Sequence, residues 1–218
     1  MATICGVEEA GRGPVIGPMV MCGVLIDEGD EDKLRSIGAK DSKLLTPRTR
    51  EALFGQITKM VRRYKFIVIP PSEIDHALLD ETLNLNWLEA DKSAEIINEL
   101  KPDKAILDCP SNNERAYAAY VRKKLEDPGI ELVAEHKADV LYPVVSAASV
   151  IAKVIRDRQI ENIKKEIGVN FGSGYPADEI TARFLRENWD KYPGIFRKTW
   201  SSYKAVAMQK DQKKLGEF

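Results

Sequence analysis

Two apolar runs of strand length, ATICGV and MVMCGVLI, open the chain with GRGPVIGP between them. That Gly- and Pro-rich stretch cannot extend a helix or a strand, so it must turn, and the two runs read as neighbouring strands. Helix and strand patterns then alternate. EDKLRSI is a short helix candidate. Thr46 is a good N-cap with Pro47 at the first helical position, and Leu53, Ile57, Met60 and Val61 fall on one helix face. KFIVIP is a third strand, stopped by Pro70 and Pro71. SEIDHALL and TLNLNWLEADKSAEIINEL are helical, the second with Trp87, Ala90, Ala94 and Ile97 near one face. AILD is a very short strand ending at Asp108, NERAYAAYVRKKLED a helix, and IELVAEH a further strand. PVVSAASVIAKVIRDRQIENIKKEI is a long helix, apolar all round at first and so buried, then charged and so exposed. Beyond the loop FGSGYPAD, Asp178 is placed to cap EITARFLRENW.

Strands first and alternation afterwards predict an α/β or mixed α+β sheet domain flanked by helices. A chain of 218 residues holds one well-buried domain and a smaller appendage. No repeat or low-complexity linker interrupts it. A boundary near FGSGYPAD divides a sheet domain, residues 1–170, from a small helical lobe and tail, 171–218.

Composition excludes more than it selects. Lys and Arg number 33 and Asp and Glu 34, so a basic surface for a polyanion has to be local. The tail is one such place: Lys191 to Phe218 carries seven basic residues against two acidic ones. Cys5, Cys22 and Cys109 are odd in number and form no CxxC pair, which disfavours disulfides or zinc and fits a reducing compartment. They read as small core residues. His76 and His136 are far apart. No apolar run nears the roughly 20 residues needed to cross a bilayer, and the N-terminus lacks a signal-peptide pattern. A soluble, cytoplasmic monomer is the expectation.

The acids carry the chemistry. Glu8 and Glu9 follow the first strand, Asp108 ends another, and Asp139 lies just past a third. If these strands are neighbours, their ends converge on one edge. Acids gathered there repel one another and are tolerated mainly around a cation. An oxygen-only set suits Mg²⁺ or Mn²⁺, and a two-metal cluster can cleave a phosphodiester. Yet acids after strands are common because strand ends meet solvent, and spacing alone does not make these strands adjacent. In GRGPVIGP, glycines let a backbone approach a sugar or phosphate, with Arg12 adding charge, although a lone GRG is more often a plain turn.

Taken together and in order, GVEEAGRGPVIGP, KDSKLL, AILDCP, AEHKADVLYPVVSAASVIAKVIRDR and FGSGYPAD resemble ribonuclease HII, in its archaeal form, over nearly the whole chain. The resemblance implies a ribonuclease H-like mixed sheet with a C-terminal helical lobe. It implies hydrolysis of RNA in RNA/DNA hybrids and incision 5′ to ribonucleotides embedded in duplex DNA, leaving a 3′-hydroxyl and a 5′-phosphate. It assigns the metal positions to Glu8, Glu9, Asp108 and Asp139, and the loop sensing the ribose 2′-hydroxyl to Gly11, Arg12 and Gly13. Tyr175 corresponds to the tyrosine packed on the neighbouring deoxyribose. Ser42 and Lys43 resemble a phosphate-contacting loop, although a lysine near a turn is usually just solvated. Lys153 and Arg156 face phosphate or only pair with acids. His136 has a structural or metal-shell role as readily as a catalytic one.

The chain departs from the family at its first carboxylate, where Glu8-Glu9 stands for the usual Asp-Glu. One added methylene moves that carboxylate by roughly an ångström, a displacement that can cost about a hundredfold in rate. Reduced turnover with substrate binding kept is therefore expected. This opens an alternative, a weakly active or inactive hybrid-binding form tethered to the sliding clamp. A third reading, a junction resolvase of the same fold group, sits poorly with GRG followed by GSGY. In the tail, Gln212, Leu215 and Phe218 resemble the peptide by which replication and repair enzymes bind the ring-shaped sliding clamp. Leu215 and Phe218 project from one side of a helical turn. The usual second aromatic is missing, and a frayed tail is the plain alternative.

Overall fold

The computed structural model describes residues 1–38 and 45–215, the last six of these as backbone alone. Five strands make one mixed sheet in the order β3-β2-β1-β4-β5. The two opening apolar runs are β1 (Thr3–Ala10) and β2 (Met19–Asp27), antiparallel from Thr3↔Asp27 to Ala10↔Val20. β3 (Arg63–Ile69) lies outside β2. β4 (Lys104–Asp108) runs parallel to β1 as far as Val7↔Leu107, and β5 (Glu131–Glu135) parallel to β4 as far as Asp108↔Glu135. Glu8 and Glu9 lie inside β1 and not after it. Pairing with Cys22 and Met21 carries the strand on to Ala10.

The helices follow their local signals. A 3-10 turn (Glu28–Asp30) leads into α1 (Glu31–Ser36). α2 (Pro47–Met60) starts where the Thr46 hydroxyl accepts from the Thr49 N–H at 3.2 Å, and it buries Leu53 and Ile57. α3 (Pro71–Leu79) and α4 (Leu85–Leu100) follow β3. α4 buries Ala90, Ala94 and Ile97, and Trp87 stacks on Tyr120 of α5 (Glu114–Lys124) with centroids 4.5 Å apart. Asn113 caps α5 through the Ala116 N–H at 3.0 Å. After β5 comes a single turn, α6 (Ala138–Leu141), which no periodicity could announce in four residues; Lys137 opens it in the left-handed region at φ 59°. The long helix is α7 (Pro143–Ile167). α8 (Glu179–Asn188) and α9 (Ser201–Leu215) complete the chain.

Two compact units form. The first takes Met1–Ala10, Val20–Val68 and Leu85–Arg156. Its core joins Ile4, Val24, Ile26 and Ile106 of the sheet to Val144, Val145, Ala148 and Ile151 of α7. The apolar start of α7 is buried there, as its sequence predicts. A Cβ on Gly6 would lie 2.5 Å from the Val144 carbonyl carbon and the Val145 nitrogen, so the α7 backbone rests directly on β1. Gly23 of β2 meets Ile96 and Leu100 of α4, which sets that helix against the sheet.

The second unit takes Gly11–Met19, Ile69–Asn84 and Asp157–Phe218. Its core is aromatic. Phe184 lies 5.7 Å from Phe171 and 6.1 Å from Phe196, with Val15, Ile16, Ile160 and Tyr203 buried around them. Two earlier stretches pack with the C-terminal part in this unit. Val15 and Ile16 explain the first of them, being apolar, fully buried and joined to Phe196 by the Ile16↔Phe196 bridge. Among the described residues no helix is long and apolar enough to cross a membrane.

Candidate functional site

The first unit gathers acids where its parallel strands end. Carboxylate oxygens of Glu8, Glu9 and Asp108 lie within 4.8 Å of one another. Strand register explains it: Val7 pairs with Leu107, so the next residues, Glu8 and Asp108, stand side by side. Glu8 is only 3% exposed. Like charges this close, one of them withdrawn from water, are unfavourable unless a cation or protons offset them.

Asp139 does not join this group at that spacing. It sits in α6, 7% exposed, and its neighbour Ala138 is tied in: the Ala138 N–H donates to Asp108 Oδ1 at 2.7 Å. One oxygen of Asp108 thus fixes the start of the turn that carries Asp139. The negative field reaches adjoining groups. The Tyr117 hydroxyl is pushed up by burial first, then by Glu89 and Glu9. The Cys109 thiol is raised by burial and then by Glu114, Asp108 and Glu89. All three cysteines are buried and free, and burial holds Cys5 up at about 12, so the thiols behave as core residues.

The donor set fits a hard divalent cation. It offers three carboxylates and no sulfur or imidazole, as Mg²⁺ and Mn²⁺ prefer. His136 is occupied otherwise. Its backbone N–H donates to Glu114 Oε1 at 2.8 Å, and its ring Nδ1 lies 2.9 Å from the Cys109 carbonyl, which fits the structural role. Arg156 is 2% exposed, too withdrawn to face phosphate, whereas Lys153 is half-buried. Glu89 was not singled out by sequence reasoning, yet it is 1% exposed and its charge acts on both Tyr117 and Cys109. An acid on a helical face has no signal that separates it from a solvated one.

In the second unit the two Gly-rich motifs meet. The Gly174 carbonyl accepts from the N–H groups of Val15 at 2.9 Å and Ile16 at 3.3 Å. A Cβ on Gly13 would lie 3.4 Å from Tyr175 Cε1, so the Gly13 backbone lies against the tyrosine ring, which is 38% exposed. The 171–178 loop is held by Asp178. Its carboxylate accepts from Ser173 N–H at 2.6 Å, Ile180 N–H at 3.0 Å and the Thr181 hydroxyl at 3.2 Å. The hydrogen bonds from Ser173 above all hold its carboxyl down at about 2. Gly172, at φ 78°, leaves no room for a side chain because a Cβ would collide with that carboxylate.

Two residues beneath the first loop escaped sequence reasoning. Arg197 is fully buried and donates to the carbonyls of Gly11, Arg12 and Gly17, and Trp200 donates to that of Gly13. Ser42 and Lys43 lie outside the described residues, as do Phe218 and the side chains of Gln212 and Leu215.

The family model described as Ribonuclease HII matches residues 5–203. A ribonuclease HII of Pyrococcus furiosus is 44% identical over 208 residues, covering 93% of this chain and 90% of that protein. The crystal structure of ribonuclease H2 from Pyrococcus horikoshii OT3 superposes with a TM-score of 0.86 at 41% identity, over 95% of this chain and 98% of that one. The structure of a PCNA:RNase HII complex from Archaeoglobus fulgidus gives a TM-score of 0.83 at 39% identity, over 91% and 95% of the two chains.

Proposed function

The chain belongs to the ribonuclease HII family, and we propose on that premise that it hydrolyses RNA in RNA/DNA hybrids and incises 5′ to ribonucleotides embedded in duplex DNA, leaving a 3′-hydroxyl and a 5′-phosphate. The observation that carries the chemistry is the meeting of Glu8, Glu9 and Asp108 carboxylates within 4.8 Å. These residues hold the metal, with Asp139 as the fourth carboxylate, brought towards Asp108 by the Ala138 tether. When bound, a pair of Mg²⁺ or Mn²⁺ ions would lower the pKa of a coordinated water and offset charge on the departing oxygen. Gly11, Arg12 and Gly13 bind the ribose through its 2′-hydroxyl, the group that separates RNA from DNA. Tyr175, packed on Gly13, offers a ring face to the adjoining deoxyribose. Ser42, Lys43 and the half-buried Lys153 contribute phosphate contacts.

Incision of a DNA duplex carrying one ribonucleotide, beside an all-DNA control, tests this reading with each metal in turn. A cut 5′ to the ribonucleotide alone is expected, and Asp108→Asn should abolish it. Cutting of the control at equal rate would refute it. Glu8 favours a second reading, an enzyme that binds hybrids well and turns over slowly. Intact binding without cleavage in either metal would select that one.

We also infer that Gln212, Leu215 and Phe218 engage a sliding clamp. The support is the Gln-x-x-Leu-x-x-Phe spacing, the helical backbone of α9 through Leu215, and a related enzyme solved with PCNA. Leu215→Ala with Phe218→Ala should weaken clamp affinity at least tenfold, the loss of about 1.4 kcal/mol or more expected for two buried apolar anchors. Unchanged affinity in a titration would reject the motif.

A further inference from the structure

The loop Gly11–Gly17 is gripped from one side. Arg197 Nη2 donates to the Gly11 carbonyl at 2.6 Å, Nη1 to Arg12 at 2.9 Å and Nε to Gly17 at 3.0 Å. Its own N–H donates to Val15 at 2.9 Å. Trp200 Nε1 donates to Gly13 at 3.1 Å, and the Arg197 guanidinium lies 4.9 Å from the Trp200 ring centroid. The carbonyls of three consecutive residues, 11 to 13, are therefore all taken by two side chains. A fully buried guanidinium is costly unless its donors are used, and here they are used on this loop. The gripping segment is itself anchored. Asp75 of α3 accepts from the N–H groups of Lys198 at 2.8 Å and Thr199 at 2.9 Å, and from the Thr199 hydroxyl at 2.6 Å.

The consequence follows from peptide geometry. Across a trans peptide, a carbonyl and the next N–H point in opposite directions, and no cis bond occurs among the described residues. With the Gly11 and Arg12 carbonyls turned to Arg197, the N–H groups of Arg12 and Gly13 are turned to the other edge. Gly13 itself lies against the exposed ring of Tyr175. We propose that Arg197 and Trp200 are the positioning residues of ribose recognition: by holding every carbonyl of the Gly-Arg-Gly loop, they fix its N–H edge for the 2′-hydroxyl of the substrate. This rests on the functional reading above, in which that loop senses the ribose. Lysine could not replace Arg197, because one ammonium cannot span carbonyls that a planar guanidinium reaches from three nitrogens.

The test separates positioning from folding and from general duplex binding. Trp200→Phe keeps an aromatic ring and removes the donor to Gly13; Trp200 is half-buried, and the melting temperature reads whether the fold is kept. Three quantities are read for the wild type, Trp200→Phe and Arg197→Lys: KM for a duplex with one ribonucleotide, the inhibition constant of an all-DNA duplex as competitor, and the melting temperature. The proposal expects Trp200→Phe to raise KM by about tenfold, the scale of one hydrogen bond, with the competitor constant and melting temperature unchanged. Arg197→Lys, losing more contacts, should raise KM further. An unchanged KM in Trp200→Phe, or KM and competitor constant rising together, would overturn it. If Arg197→Lys fails to fold, Trp200→Phe alone decides. A wild-type enzyme that cuts nothing would instead remove the functional reading beneath the proposal.

Discussion

Shifting a carboxylate by one methylene matters more at position 8 than on a surface, because Glu8 is 3% exposed and shares its space with Glu9 and Asp108. Little room remains for it to adjust. Glu8→Asp should therefore raise kcat for the single-ribonucleotide duplex, by up to about a hundredfold, while KM changes little. Steady-state incision rates check this, and an equal or slower Asp form would show that the longer side chain suits the site. The three clustered acids were legible in the sequence because each interrupts or ends an apolar run of strand length. Asp139 was legible as an acid after a strand, but its place on a separate turn was not. Arg197 was hidden. It is one of seven basic residues between Lys191 and Phe218, and nothing in a string of residues tells a buried guanidinium from a solvated one.

At the level of elements, one contact in each unit carries an expectation. The α7 backbone rests on Gly6, so Gly6→Ala must push helix and sheet apart. Overpacking of this kind costs about 1–3 kcal/mol, sometimes more, and denaturant unfolding would register it. Asp178 caps α8 and ties the Tyr175 loop. A carboxyl depressed in the folded state stabilises above its unfolded pKa, about 3.9, and the benefit is lost as pH falls towards its folded value. With that value at about 2, protection of the Ser173 and Ile180 amides should persist to near pH 4 and fade between there and pH 2. Hydrogen exchange reads it directly. Asp178→Ala should remove the pH dependence and cost about 0.5–2 kcal/mol, as losing an N-cap does. The caps at Thr46 and Asp178 were visible in advance because capping is a local signal. The end of β1 was not, since a strand continues wherever its partner offers hydrogen bonds, and partners are not local.

The same contrast governs the whole molecule. Alternating helix and strand patterns announced a mixed sheet with helices, and the sheet has that form. The grouping into units was out of reach, because Val15 and Ile16 look like turn residues until Phe196 is found beside them. A chain cut after residue 170 would leave Val15, Ile16 and Ile160 without Phe171, Phe184, Phe196 and Tyr203. We expect that fragment to aggregate or to bind a hydrophobic dye strongly; a monodisperse fragment with sharp amide resonances would contradict this. The bond from Arg197 to the Gly11 carbonyl spans 186 positions of the chain. A ribosome adds about 5–20 residues per second, so Gly11 is made on the order of ten to forty seconds before the arginine that fixes it. For that interval the Gly11 and Arg12 carbonyls lack the donors that hold them in the folded chain. The loop takes its held shape only once residues 197 to 200 have been made, so its geometry is set late in synthesis.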